Sequence, residues 1–538
     1  MLRGGDPDAG LTGRQEGQVR QMNRWRKTLS MMMAGVLMTG CAGTARGEAD
    51  QVITVDPQRV SEVNGGVFEG WGTSLCWWAN RIGYSDTLSR LAAEAFCDPE
   101  KGLGLNILRY NIGGGDDPAH DHITRTDSMM PGFWLNPGYD EASGTYSWEY
   151  DWTQDANQRN VLNRCLQTYG DGMIVEAFSN SPPYFMTNSG CTSGAKRAFQ
   201  NNLREDAYDA FARYLADVAE HFYTEWGILF QSLSPMNEPN TSNWQAFSEK
   251  QEGCHFDPGA SQSRILTATA EKLREKGLEQ IQISGTDETS IDTQALSLTQ
   301  LSEEALAVIT RVDTHAYAGS GRDFLLRQTL QRNKNLWMSE VDSGQTVGEA
   351  AGEMGAGLWL AKEILADLNG LTPSAWILWQ VIDNHICREG YLGRRDSGMI
   401  DPKGGYWGVA VADHDLEQLI LTQKYYVFGQ FTRYIRPGCR LIAVDGDAVA
   451  AEDPEFRRLV VVAVNAGGAE KTVRADLSAF GSAVAAGSEV QAVRTSGSLA
   501  DGEQWAALPA LVTDESGFSA VLPPYSVTTF LIPETVQE

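Results

Sequence analysis

The chain has 538 residues, 42% of them hydrophobic and 21% charged, which is material for one large core and a smaller domain. Its formal net charge is −27, from 70 acidic against 43 basic residues, and no long lysine/arginine block interrupts the acidic excess. Polyanionic partners, nucleic acid and anionic lipid surfaces among them, are disfavoured by that balance.

Residues 1–21 read as a polar, structureless extension, with Met22 as an alternative start. In "MNRWRKTLSMMMAGVLMTGC" the basic residues Arg24, Arg26 and Lys27 precede an apolar run of about a dozen residues, the layout of a cleaved export signal and too short for a spanning helix. Its end, Met38-Thr39-Gly40-Cys41, resembles the bacterial lipoprotein cleavage box, with Met38 where leucine is usual. That resemblance implies lipidation at Cys41 and a chain exported and anchored on the outer face of the bacterial cell membrane. An ordinary secretory signal with an incidental cysteine is the alternative. Residues 42–51 then serve as a linker.

Between about residues 70 and 380, eight short apolar runs alternate with helical patterns such as "REDAYDAFARYLADVAEHFYTEWG". The runs are "VFEGWGTSL", "LNILRYNIGG", "MIVEAFSNS", "ILFQSLSPMNEP", "IQISGTDE", "VDTHAY", "LWMSEVDSG" and "AWILWQVIDN". Strand–helix alternation predicts a parallel sheet, and eight repeats predict a closed (β/α)8 TIM barrel over residues 67–424. An open doubly wound sheet would want a glycine-rich nucleotide fingerprint after the first strand, and none is there. From residue 425 to 538 the pattern becomes period two between turn signals, as in "RRLVVVAVNAGG" and "YSVTTFLIP", predicting an all-β sandwich. The early segment 52–66, opening in "QVITVDPQRV", reads as one more strand of that domain. The side-attached sandwich is thus expected to be built from both chain ends.

Seven cysteines follow Cys41, scattered and never in C-x-x-C spacing, so neither a zinc site nor a disulfide framework is signalled. The acidic and histidine residues likewise show no ligand spacing, and no metal or cofactor is expected.

In such a barrel the chemistry sits where strands run out at their C-terminal ends. Glu238 ends the fourth run, with Pro239 behind it to stop the ladder, and Glu340 ends the seventh. Strands four and seven lie three places apart on the barrel circle, so two carboxylates face each other across the mouth. Paired carboxylates of unequal pKa are what glycosidic cleavage requires: one protonates the departing oxygen, the other meets the oxocarbenium-like carbon. Arg109, at the end of the second run, is the expected cationic partner. Asn237 is placed to bond a sugar hydroxyl.

The motifs "GWGTSLCWWAN", "LRYNIGGGDDP", "FSNSPPYFM", "SPMNEPN", "DTHAY", "WMSEVDSG" and "GQFTRYIRPG", in that order over about residues 52–535, resemble glycoside hydrolase family 30. The resemblance implies a retaining glycoside hydrolase with Glu238 as acid/base and Glu340 as nucleophile, no cofactor, and a monomer acting on a β-linked oligo- or polysaccharide. It also implies that His315 and Tyr317 lie beside the carboxylates, with Tyr317 near the nucleophile, and that Trp379 stacks beneath the sugar. Of Trp77 and Trp78 at most one can line the pocket, since successive strand residues point to opposite sides; Trp77 is chosen. The opening "GWGTSLCWWAN" is most similar to the endo-β-1,6-galactanase branch, with β-1,6-glucanase or a glucosylceramidase-like β-glycosidase as alternatives and a non-catalytic surface glycan-binding lipoprotein as the reading from another class. The loops "FWLNPGYDEASGTYSWEYDW" and "CREGYLGRRDSGMIDPKGGYWG" are expected to shape the cleft.

Overall fold

A computed structural model describes residues 49–535; Cys41 and the export signal lie outside the described residues. Eight parallel strands close into a barrel: Gly70–Ser74, Ile107–Asn111, Ile174–Phe178, Ser232–Ser234, Gln282–Glu288, Ile309–His315, Asn335–Val341 and Ala375–Leu378. They are the eight apolar runs of the sequence. Their near-continuous hydrophobicity follows from burial on both faces, by the barrel interior and by the helical ring. The helix Tyr208–Trp226 shows the outer half of that packing, burying Phe211, Leu215, Val218 and Phe222 along one stripe. At the first strand Gly70 adopts φ +137°, and a Cβ there would fall 1.9 Å from Asn106 Oδ1. That oxygen accepts the Trp71 N–H at 3.1 Å, so the position tolerates no side chain.

The strand Gln51–Thr54 pairs in parallel with Lys471–Asp476, which pairs with Gly517–Leu522. This small sheet faces a larger antiparallel one whose path runs from Arg440–Ile442 through Ala448–Asp453, Arg458–Asn465, Ser526–Pro533 and Glu489–Ser496 to Glu503–Ala507. Period two decides which residues go where in Arg458–Asn465. Leu459, Val461 and Ala463 pack into the sandwich with Val473, Phe518 and Phe530. Val460, Val462 and Val464 point the other way and join the barrel's core. The sandwich is therefore fastened to the barrel by an apolar face. The helix Gln423–Thr432 is almost wholly buried and spans the expected boundary at 424/425. Its Gln430 side chain hydrogen-bonds Thr495 and Thr529 of the large sheet. All seven described cysteines are unpaired.

Candidate active site

The fourth strand is regular only through Ser234. Glu238 lies four residues beyond it rather than closing it, in a left-handed conformation with φ +46°. Its N–H is held by the Asp287 carbonyl at 2.8 Å and Pro239 follows, so the bend that the sequence placed at the strand end is a separate, tethered turn. Glu340 sits within the seventh strand, one residue from its end. The two carboxylates meet at His315: Nδ1 lies 3.3 Å from an oxygen of each. One oxygen of each carboxylate and one ring nitrogen of His315 lie within 4.8 Å of one another.

The environments of the pair differ. Glu340 receives Arg109 Nη1 at 3.2 Å, the Tyr317 hydroxyl at 3.1 Å and His315 Nδ1 at 3.3 Å. Among the described residues Glu238 has only His315 as a charged neighbour within bonding distance. Burial pushes the Glu340 carboxyl up to about 7, with the Glu238 charge adding to the push while His315 and Arg109 pull it down. Burial also opposes a charge on His315, but the Glu340 and Asp287 carboxylates outweigh it and raise the imidazole to about 10. The ring is thus an imidazolium at neutral pH, donating from Nδ1 to the pair and from Nε2 to Asp287 at 3.2 Å. Burial disfavours the Asp287 charge, yet Arg109 and His315 hold it below the usual carboxylate range.

Arg109 and His315 are both 0% exposed and face carboxylates, not open space. Neither lines the cavity that holds the pair: Arg109 stands as the cationic partner expected of it and His315 beside the carboxylates, and both fix the pair's position and charge. Arg109 is fully engaged by Glu176 at 2.9 Å, Asp287 and Glu340. The remaining sequence candidates do line a cavity of about 460 Å³: Asn237, Glu238, Tyr317, Glu340, Trp77 and Trp379. Trp77 meets Trp379 edge to face at 5.0 Å. Trp78 turns away, its indole N–H on the Ser74 carbonyl at 2.8 Å and its ring against Phe96. Asn237 Oδ1 and Trp77 Nε1 are buried at this cavity without a protein partner, the kind of group a sugar hydroxyl satisfies.

Sequence reasoning passed over Asp287, which closes the fifth apolar run in the manner of Glu238 and could have been found by the same rule. It also passed over Arg125, Asp383, Lys250 and Trp407 in the cavity wall. Arg125 lies over Trp77 at 4.9 Å and binds Asp383 at 2.7 Å; nothing local in the sequence brings these loops together. Trp407 comes from the second of the two loops expected to shape the cleft. The first forms a hairpin, Trp134–Asp140 with Thr145–Tyr150. It packs toward the helix Tyr208–Trp226, where Tyr150 bonds Asp217 at 2.5 Å, and Trp134 lines a neighbouring cavity instead. Its aromatics serve packing because that helix offers them a surface.

Comparison with known proteins gives the family. The sequence model described as O-Glycosyl hydrolase family 30 matches residues 60–294, a span that includes Glu238. Over 501 residues the chain is 32% identical to an endo-beta-1,6-galactanase of Hypocrea rufa, covering 90% of this chain and 95% of that one. The chain belongs to glycoside hydrolase family 30. A second relative, an exo-beta-1,6-galactobiohydrolase of Bifidobacterium longum subsp. longum, is 26% identical across 85% of this chain but only 37% of its own length. Among solved structures, the catalytic domain of family 30 xylanase C from Talaromyces cellulolyticus superposes with a TM-score of 0.66 at 18% identity, covering 90% of this chain and all of that one. At that identity it speaks for the fold alone. The chain is a glycoside hydrolase on a TIM barrel, with a carbohydrate substrate.

Proposed function

We propose that the enzyme hydrolyses β-1,6-linked galactan by double displacement, with Glu340 as nucleophile and Glu238 as acid/base. The observation that carries the roles is the unequal donor set. Three groups, two of them cationic, stabilise a carboxylate at Glu340 and one does so at Glu238, so the single proton the pair must share belongs on Glu238. Ionised Glu340 attacks the anomeric carbon as Glu238 protonates the departing oxygen. Glu238 then takes a proton from water, which displaces Glu340 and restores the original configuration. One oxygen of each carboxylate within 4.8 Å of the other, both 3.3 Å from the same His315 nitrogen, supports retention, for which the carboxyl groups stand about 5–5.5 Å apart, over inversion at about 6.5–9.5 Å. The galactan assignment draws on the Hypocrea rufa relative. Binding energy spread over several sugar units should make truncated substrates lose turnover and not merely affinity.

Side-by-side digestion of β-1,6-galactan and β-1,6-glucan, with sizing of the earliest products, tests the substrate. A ladder of galacto-oligosaccharides is expected; faster cleavage of the glucan moves the assignment to that polymer. The name of the Bifidobacterium longum relative favours a second mode, and galactobiose as the sole early product would select it. For the roles, Glu340→Gln should abolish the glycosyl-enzyme, and Glu238→Ala should fall by about 10²–10⁴ on the natural substrate. Azide should partly rescue the latter on substrates with good leaving groups; full activity in either variant refutes the assignment.

We further propose that the enzyme is exported and held at the membrane through lipid on Cys41. Among the described residues no helix is long and apolar enough to cross a membrane.

A further inference from the structure

The loop after the second barrel strand carries Asp116, His120 and His122 within seven residues, and the loop after the third strand brings Cys191 to them. One ligand-type atom of each lies within 4.8 Å of the others. His120 Nδ1 is 3.1 Å from Asp116 Oδ1 and His122 Nε2 is 3.4 Å from Asp116 Oδ2. Cys191 Sγ is 3.4 Å from His122 Nε2 and 3.8 Å from Asp116 Oδ2. Zinc bonds of about 2.0 Å to nitrogen or oxygen and about 2.3 Å to sulfur give a tetrahedron with edges of about 3.3 Å between N and O and about 3.5 Å from S to N or O. Asp116 Oδ2, His122 Nε2 and Cys191 Sγ stand close to those separations, and His120 Nδ1 reaches the other oxygen of the same carboxylate, with all four residues offering an atom within 4.8 Å.

We propose that Asp116, His120, His122 and Cys191 form a structural zinc site. Thiolate with two imidazoles is a donor set that selects zinc over calcium or magnesium. One thiolate, one carboxylate and two neutral imidazoles also balance the dication. The sulfur is held in place from the loop side as well: the Phe247 N–H donates to Cys191 Sγ at 3.5 Å and Ser193 Oγ lies at 3.1 Å. Asp116 Oδ1 also accepts the Thr192 N–H at 3.2 Å. Among the described residues no lysine or arginine pairs with Asp116, and the side chains within ion-pair distance of its carboxylate are the two histidines. Four protein ligands fill a tetrahedral shell and leave no open position, which separates a structural site from a catalytic one. The carboxylate pair lines a different cavity.

The site has a mechanical consequence. It ties the loops after the second and third strands together, and through Phe247, packed 5.0 Å from His120 and 5.4 Å from His122, it braces the loop after the fourth. That last loop supplies Asn243, Lys250 and Gln251 to the catalytic cavity. Zinc binding would stiffen one wall of the sugar site without touching the reacting atoms.

The test uses the full chain, stripped with chelator, reloaded with zinc chloride or cobalt chloride, and desalted. The wild type should retain about one zinc per chain and gain several degrees in Tm on zinc addition. Its cobalt form should show a near-ultraviolet thiolate-to-cobalt charge-transfer band. Cys191→Ser should lose that band, and the His120→Ala/His122→Ala double variant should retain no stoichiometric metal, with circular dichroism confirming that both fold. A wild type that retains no zinc and shows no Tm shift overturns the proposal, as does equal metal retention in all variants. In the first case the cluster is a hydrogen-bonded network only. The Glu340 and Glu238 variants report on the carboxylate pair independently, so failure of one assignment leaves the other readable.

Discussion

Tyr317→Phe isolates one hydrogen bond of Glu340, the proposed nucleophile. The hydroxyl donates to Glu340 Oε1 at 3.1 Å, while the ring packs 6.1 Å from Trp407 and would stay in place without its oxygen. A hydrogen bond to a charged group contributes about 1.5–3 kcal/mol, which at 1.36 kcal/mol per unit is a pKa change of about 1–2. The two carboxyls lose their protons in two steps that belong to the pair. Below the lower step both are protonated and the nucleophile is lost; above the upper step both are ionised and the acid is lost. The upper step, at which the pair loses its remaining proton, sets the descending limb of kcat/KM against pH. The lower step sets the ascending limb. Removing a donor to the carboxylate makes Glu340 harder to ionise, so the ascending limb should move up by about 1–2 units and the bell should narrow and drop. The assay is kcat/KM on a soluble galacto-oligosaccharide across pH, which reports the free enzyme's ionisations. An ascending limb in its wild-type position would refute the reasoning that Tyr317 holds the ionised nucleophile.

The neighbouring tryptophans should separate cleanly. Trp77→Ala should lower kcat/KM at 20 °C by about tenfold or more, as a lost sugar platform worth at least about 1.4 kcal/mol. Trp78→Ala should cost about 3–5 kcal/mol of stability, read as a lower Tm, and leave kcat/KM of the folded protein near wild type. In the sandwich, Phe530→Ala removes a ring packed 5.0 Å from Phe518 and should also cost about 3–5 kcal/mol in chemical denaturation, with little change in kcat/KM at low temperature. For the export signal, mass spectrometry of membrane-fractionated protein should find an acylated N-terminal Cys41; an unmodified N-terminus beyond Cys41 would show the lipoprotein reading to be wrong.

The barrel was legible because parallel strands buried on both faces leave continuous apolar runs, and all eight runs became strands. The sandwich was legible for the opposite reason: Leu459, Val461 and Ala463 alternate with Val460, Val462 and Val464 across a sheet whose two faces meet different partners. Strand-end logic reached Glu340 directly and Glu238 by a longer route, since the regular strand stops at Ser234 and a tether to Asp287 carries the chain onward. What the sequence did not disclose depends on loops meeting in space. Cys191 is 69 positions from His122, so no spacing rule could join them, although the compact Asp116-x3-His120-x-His122 pattern was a local signal. The burial of Arg109 was likewise hidden, because the three carboxylates that bind it come from three different strands.

Those carboxylates also bear on how the barrel favours the reaction. Beneath the cavity Arg109 pairs with Glu176, Asp287 and Glu340, Arg311 pairs with Glu176 and Asp313, and His315 joins Asp287 to the catalytic pair. With Glu238 protonated, four carboxylates face three cations. The excess is one negative charge, and of the four carboxylates Glu340 is the one that lines the substrate cavity. An oxocarbenium-like transition state places positive charge at the anomeric carbon, against that carboxylate, so the unbalanced anion stabilises the transition state more than the neutral sugar. The cations keep Glu340 ionised and in place; being one short, they leave its charge available to the substrate. A variant that neutralises a buried carboxylate such as Asp287→Asn would remove the excess and free Arg109 to bind Glu340 more tightly, and should therefore slow the formation of the glycosyl-enzyme more than it weakens substrate binding.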